Sequence, residues 1–177
     1  MDSVPYEYCR AVFDRLLVHC NPETSKLLQD ALKCFPGLWR EVARQFREKQ
    51  RFLHLAIVFR NSETWNYGLV MSSHSDPRRR IVKMTLEELL SLDPRFTRFQ
   101  SVSLTPSLTS EPRHQEITRD DLTQRLVPFV ASLTAKSTLS VKRRNEAVDP
   151  LVYLLQDQGS FELLRLGPCY GRSYRLL

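Results

Sequence analysis

Glycine is scarce in this 177-residue chain, at five residues. Gly37, Gly68, Gly159, Gly167 and Gly171 form neither a phosphate loop nor a dinucleotide fingerprint. Cysteine is rarer still. Cys9, Cys20, Cys34 and Cys169 contain no C-x-x-C pair, so the spacing offers no zinc or redox motif. Reduced, buried thiols fit this usage, which places the expected compartment in the cytoplasm or nucleus. No apolar run approaches the roughly 18 residues of a membrane span, and no signal-peptide pattern opens the chain. His19, His54, His74 and His114 lie far apart in sequence, and no G-x-S-x-G elbow is present. Glu87 and Glu88 are adjacent and read as a solvated helix face. We therefore expect no catalytic residue, no metal and no cofactor, and we read the chain as a non-enzyme.

Apolar residues make up 42% of the chain and charged residues 26%. A sizeable core can form, and global disorder is disfavoured. The net charge of +6 is mild. Its clusters are Arg78, Arg79 and Arg80, and Lys142, Arg143 and Arg144. A solvated surface explains them; a nucleic-acid face is the lesser alternative. Aromatic and basic residues also interleave from Pro168 to Arg175, a pattern usable for stacking but ordinary for a terminal strand or tail.

The spacing predicts an α+β chain in two parts: a helical module over 1–50 and a mixed α/β domain over 51–177. Tyr6 to His19 carries Cys9, Val12, Phe13, Leu16 and Leu17 on one helical stripe. Asn21-Pro22 stops it and starts a second helix with Leu27, Leu28, Ala31 and Leu32. After Pro36-Gly37, a third helix carries Leu38, Trp39, Val42, Ala43 and Phe46. Each stripe must be covered, either by the protein's own sheet or by a partner.

The period then changes. Phe52 to Phe59 reads as a strand buried on both faces, forming a hairpin with Trp65 to Met71. Arg80 to Met84 adds a third strand, and Thr85 with Glu88 makes a capping box for a helix ending near Leu92. Phe99 to Leu104 is a strand, and 105–118 reads as a loop. A helix capped by Thr118 holds Leu122, Leu126, Val127 and Val130, with a kink expected at Pro128. Thr138 to Val141, a helix from Asp149-Pro150 to Gly159, and Phe161 to Leu166 complete an irregular β-α-β-α-β region. Such alternation favours parallel pairing. The last two strands start about 23 residues apart, close to the period of a leucine-rich repeat.

The N-terminal segment resembles an F-box, the helical module by which substrate receptors attach to the Skp-type adaptor of cullin-RING ubiquitin ligases. Val4-Pro5 stands for the opening Leu-Pro, Val12-Phe13 with Leu16-Leu17 for the first helix, and Asn21-Pro22 for the Asp-Pro turn. Leu28 and Leu32 fall in the second helix, and Leu38-Trp39-Arg40-Glu41-Val42-Ala43 matches the closing Trp-Arg-x-Leu-Ala. The start Met-Asp-x-Val-Pro is also similar to divergent nematode F-box proteins with an associated α/β region. The resemblance covers about a quarter of the chain, and its Pro5-to-Trp39 distance is longer than usual. It implies a protein–protein interaction adaptor that contacts a Skp-type protein through Val4, Pro5, Val12, Phe13, Leu16, Leu17, Leu28, Leu32 and Trp39. The rest of the chain would then hold an unknown recognised protein. A degenerate module that no longer binds the adaptor is the other reading it allows.

Overall fold

A computed structural model describes residues 5–18, 30, 37–59, 65–73, 78–106, 114–142, 148–167 and 173–175. It mixes helices with one eight-stranded mixed sheet. Helix α1 is Tyr6–Val18 and α2 is Leu38–Lys49. Gly37, at φ 66°, opens α2 in the left-handed region where glycine carries little penalty. The helix expected around Leu28 and Leu32 falls outside the described residues.

The strands are β1 Arg51–Phe59, β2 Trp65–Ser73, β3 Arg80–Val82, β4 Thr97–Pro106, β5 Gln115–Ile117, β6 Thr134–Val141, β7 Ser160–Leu166 and β8 Ser173–Arg175. Their order is β3-β2-β1-β4-β6-β7-β8, with β5 also on β2. β4, β6 and β7 run parallel, as the alternation predicts, and β1, expected only in a hairpin with β2, also lies parallel to β4. β2 and β8 close the two sides antiparallel. The run 105–118 is not wholly a loop. Thr105 and Pro106 extend β4, and Gln115 to Ile117 pairs with Trp65 to Tyr67.

Three helical segments join the strands. α3 is Leu86–Leu90, with the Thr85–Glu88 capping box in place. α4 runs through Arg119–Asp121, a π-helical turn at Leu122–Leu126, and Val127–Ser132. The π turn stands where Pro128 predicts a kink. Proline has no N–H and crowds the preceding turn, and the wider ring closed by the Val127 N–H on the Leu122 carbonyl accommodates it. α5 is Asp149–Gln158. Gly159 ends it in extended geometry at φ −102°, not in a left-handed cap. Glycine is needed there for space: a Cβ would lie 2.7 Å from the Leu155 carbonyl oxygen.

Leu53, Leu55, Ile57 and Phe59 alternate along β1 and all face the main core. Trp65, Tyr67, Leu69, Val102, Leu104, Leu139, Val141 and Leu164 extend that core across the sheet. Leu89 of α3, Leu122, Leu126 and Val130 of α4, and Leu151 and Leu155 of α5 cover it. The Tyr67 hydroxyl lies 2.9 Å from the Met84 carbonyl and 3.0 Å from Gln115 Oε1, joining β2 to two neighbouring segments. Burial, with the nearby Glu88 carboxylate, pushes this phenol up to about 12.

Candidate functional site

Two surfaces stand out, and the helical pair is the first. Cys9 and Phe13 of α1 face neither solvent nor the main core. They pack on Val42, Ala43 and Phe46 of α2, a second cluster that also takes Tyr6, Trp39 and Phe96. Phe13 stacks on Phe46 with ring centroids 5.6 Å apart, and lies 6.0 Å from Trp39. Phe46 meets Phe96 edge-on at 5.1 Å, which ties the pair to the segment just before β4. The Tyr6 hydroxyl donates to Gln45 Oε1 at 2.6 Å. On the outer side of α2, Arg44 bonds Glu41 and Glu48, and this holds the Glu41 carboxyl down at about 2.

The residues suggested by resemblance therefore divide. Phe13 is interior to the pair, while Val12 and Trp39 are half-buried. Pro5 is exposed. Leu16 and Leu17 lie on the last turns of α1, but their side chains, with Val4, Leu28 and Leu32, fall outside the described residues. The exposed apolar groups of the pair are Tyr8 at 60% and Leu38 at 42%. Tyr8 was not selected from sequence because it lies off the apolar stripe.

The second surface is the sheet face away from α3, α4 and α5. Cross-strand register fixes its rows, because paired residues share a face. One row runs Ile81, Val70, His54, Ser101, Thr138, Leu163. The next runs Gly68, Ala56, Ser103, Ser140, Arg165. Every residue of these rows is half-buried or exposed, and none joins either apolar cluster. The expectation that β1 is buried on both faces is thus corrected at His54 and Ala56. The ends of the face are closed, at Phe52 (2% exposed) and Val58 (5%). β4 carries a bulge between Phe99 and Ser101 that sets Ser101 beside His54. His54 Nδ1 and Ser101 Oγ share a hydrogen bond of 2.8 Å. Partial burial, then the Arg79 guanidinium nearby, pushes the His54 pKa below its ordinary value. The His114 ring lies over Gly68, where a Cβ would come within 2.4 Å of its Cδ2.

Charge is divided between the two layers. α3, α4 and α5 carry six carboxylates against two arginines, Arg119 and Arg125. Arg125 is paired with Glu87 and Asp121. The strands carry six cations against two carboxylates, Glu116 and Glu162.

The alternative basic site is not brought together. Arg78, Arg79 and Arg80 are exposed beside the start of β3. Lys142 is exposed at the far end of β6, four strand spacings away, on the order of 19 Å. Arg143 and Arg144 fall outside the described residues. An apolar cavity of about 150 Å³ lies between Trp65, Arg119, Leu122, Pro150 and Leu154. It is below the roughly 300 Å³ at which small-molecule sites begin. Among the described residues no group of three His, Cys, Asp or Glu side chains could hold a metal ion. Among them, too, no helix is long and apolar enough to cross a membrane. Comparison with protein-family models, with curated proteins and with solved structures gives no match for this chain.

Proposed function

We propose that this chain is a protein–protein interaction adaptor. Its N-terminal helices form a docking module similar to an F-box, and its α/β part holds a partner protein. In this reading the residues between α1 and α2 supply a third helix, whose Leu28 and Leu32 contribute to the adaptor contact. The strand–helix units then stack in the manner of an irregular leucine-rich array. Such an adaptor would attach a recognised protein to a cullin-RING ubiquitin ligase.

The observation that carries the reading is the separate core of the helical pair. Cys9, Phe13, Val42, Ala43 and Phe46 cover one another without drawing on the sheet's core. Pro5, Tyr8 and Leu38 remain on the outside. A helical unit with its own small core and exposed apolar groups among its surface charges suits the groove-docking mode of partner binding.

Affinity purification of the tagged chain should recover a Skp-type adaptor. The double variant Pro5→Ala with Tyr8→Glu should lose it while keeping the parent's melting temperature, because both residues are exposed. Recovery of no Skp-type protein by the parent chain defeats the ligase reading. Salt-sensitive binding of single-stranded nucleic acid by the parent would instead favour the basic-module alternative.

A further inference from the structure

We infer that the sheet face away from α3, α4 and α5 binds an extended acidic segment of a partner protein. This deepens the adaptor reading and rests on it only in taking the partner to be a protein. In the middle of its two rows, between Val70 and Gly68 under the His114 ring on one side and Leu163 and Arg165 on the other, Ala56, Ser101, Ser103, Thr138 and Ser140 are small, with His54 the larger side chain among them. Small side chains let another backbone approach closely, and hydroxyls such as those of Thr138 and Ser140 can donate to carbonyl or carboxylate oxygens. Ser103 Oγ instead donates to the Leu55 carbonyl, and Ser101 Oγ is shared with His54. From β1 to β7 the rows span three strand spacings, which an extended segment of about four or five residues crosses.

Charge fixes the sign of the segment. Arg165 follows Ser140 in the second row and pairs on with Ser173, Arg79 lies close enough to His54 to disfavour its protonation, and Arg98 shares the register position of Phe52. Two carboxylates border this face: Glu116, at the β5 edge opposite Asn66, and Glu162, exposed at the register shift of β7 between the core residue Phe161 and Leu163. Among the described residues the Gln100 carboxamide nitrogen, at the bulge next to Ser101, is buried with no hydrogen-bond acceptor. A carboxylate-rich segment supplies acceptors and countercharge together. A nucleic acid supplies the same charge, but sheet faces that bind single strands stack bases on exposed aromatic rings. The middle rows hold no Phe, Tyr or Trp.

The test uses the full chain and a fluorescein-labelled octapeptide of alternating Glu and Val, read by anisotropy at low salt. The same octapeptide with Lys for Glu, and a short oligothymidylate, serve as comparisons. The acidic peptide should bind saturably and the basic one should not. Arg165→Glu, an exposed change that spares the fold, should weaken binding by about fivefold or more. Ser103→Glu with Ser140→Glu should weaken it by about tenfold or more. Glu116→Gln should leave it equal or tighter. The inference is overturned by absence of saturable binding up to millimolar peptide, or by equal binding of the basic peptide. Unchanged affinity in Arg165→Glu, or tighter binding of the oligonucleotide at the same face, overturns it as well. Adaptor recovery is measured separately, through Pro5→Ala with Tyr8→Glu. Peptide binding without adaptor recovery defeats only the ligase reading, and recovery without peptide binding defeats only this inference.

Discussion

The same strands present two unlike faces. On one, Leu55, Val102, Leu139 and Leu164 form a continuous apolar row under three helices. On the other, one residue away along each strand, His54, Ser101, Thr138 and Leu163 stay partly in water. Because side chains alternate with a period of two, one strand serves both purposes without compromise. The covered face holds the fold together, and the open face keeps its side chains half-buried or exposed. The helical pair differs from both, since its core is small, local and joined to the sheet side through Phe96.

Several substitutions break or sharpen this contrast. Phe46→Ala removes the ring shared by Phe13 and Phe96 and should cost about 3–5 kcal/mol within the helical pair. Hydrogen exchange should then rise across α1 and α2 while β1 and β4 stay protected. Equal loss across the sheet would show the pair to be part of the main core. Leu139→Ala, fully buried on the covered face, should cost about 2–5 kcal/mol by urea unfolding. Its neighbour Ser140→Ala, on the open face, should stay within about 0.5 kcal/mol. Similar losses at both positions would end the two-face description. Gly167→Ala places a Cβ 2.1 Å from the backbone oxygen of Lys142, so a strand must shift, at about 1–3 kcal/mol. Gly68→Ala on the open face meets only the His114 ring, which can turn away, and should cost less than Gly167→Ala in the same unfolding assay.

The covered face was the more legible in sequence. A continuous apolar run found β1, alternation found β2, short strand-like segments found β4, β7 and the end of β6, and the Thr85–Glu88 pair placed the start of α3 as it stands. Pro128 gave the site of an irregularity but not its form, because a kink and a π turn both relieve the same missing N–H. β5 was missed because three residues among Ser, Thr and Pro carry no period of their own, and only pairing with β2 makes Gln115 to Ile117 a strand. The open face was the least legible. Phe52 to Phe59 is apolar but for one histidine, so local pattern favoured burial on both sides. What sets Ser101 and Thr138 beside His54 is strand order together with the shifts of register around Phe99, and neither has a sequence signature.

The smallest effect we expect is also the most specific to the open face. His54 has a folded pKa below its ordinary 6.5, through partial burial first and the Arg79 charge second. The unfolded chain therefore binds a proton that the folded chain resists. Stability from this group is complete above about pH 6.5 and declines as pH falls from there toward the lowered folded value. Urea midpoints measured between pH 7.5 and pH 5 should fall more steeply for the parent than for His54→Gln, which removes the titration but retains a partner for Ser101. Arg79→Gln should flatten the slope in part, because the larger cause, burial, remains. Should His54→Gln leave the slope unchanged, the histidine lies in water rather than within the row, and the open face loses the group that most distinguishes it from an ordinary solvated surface.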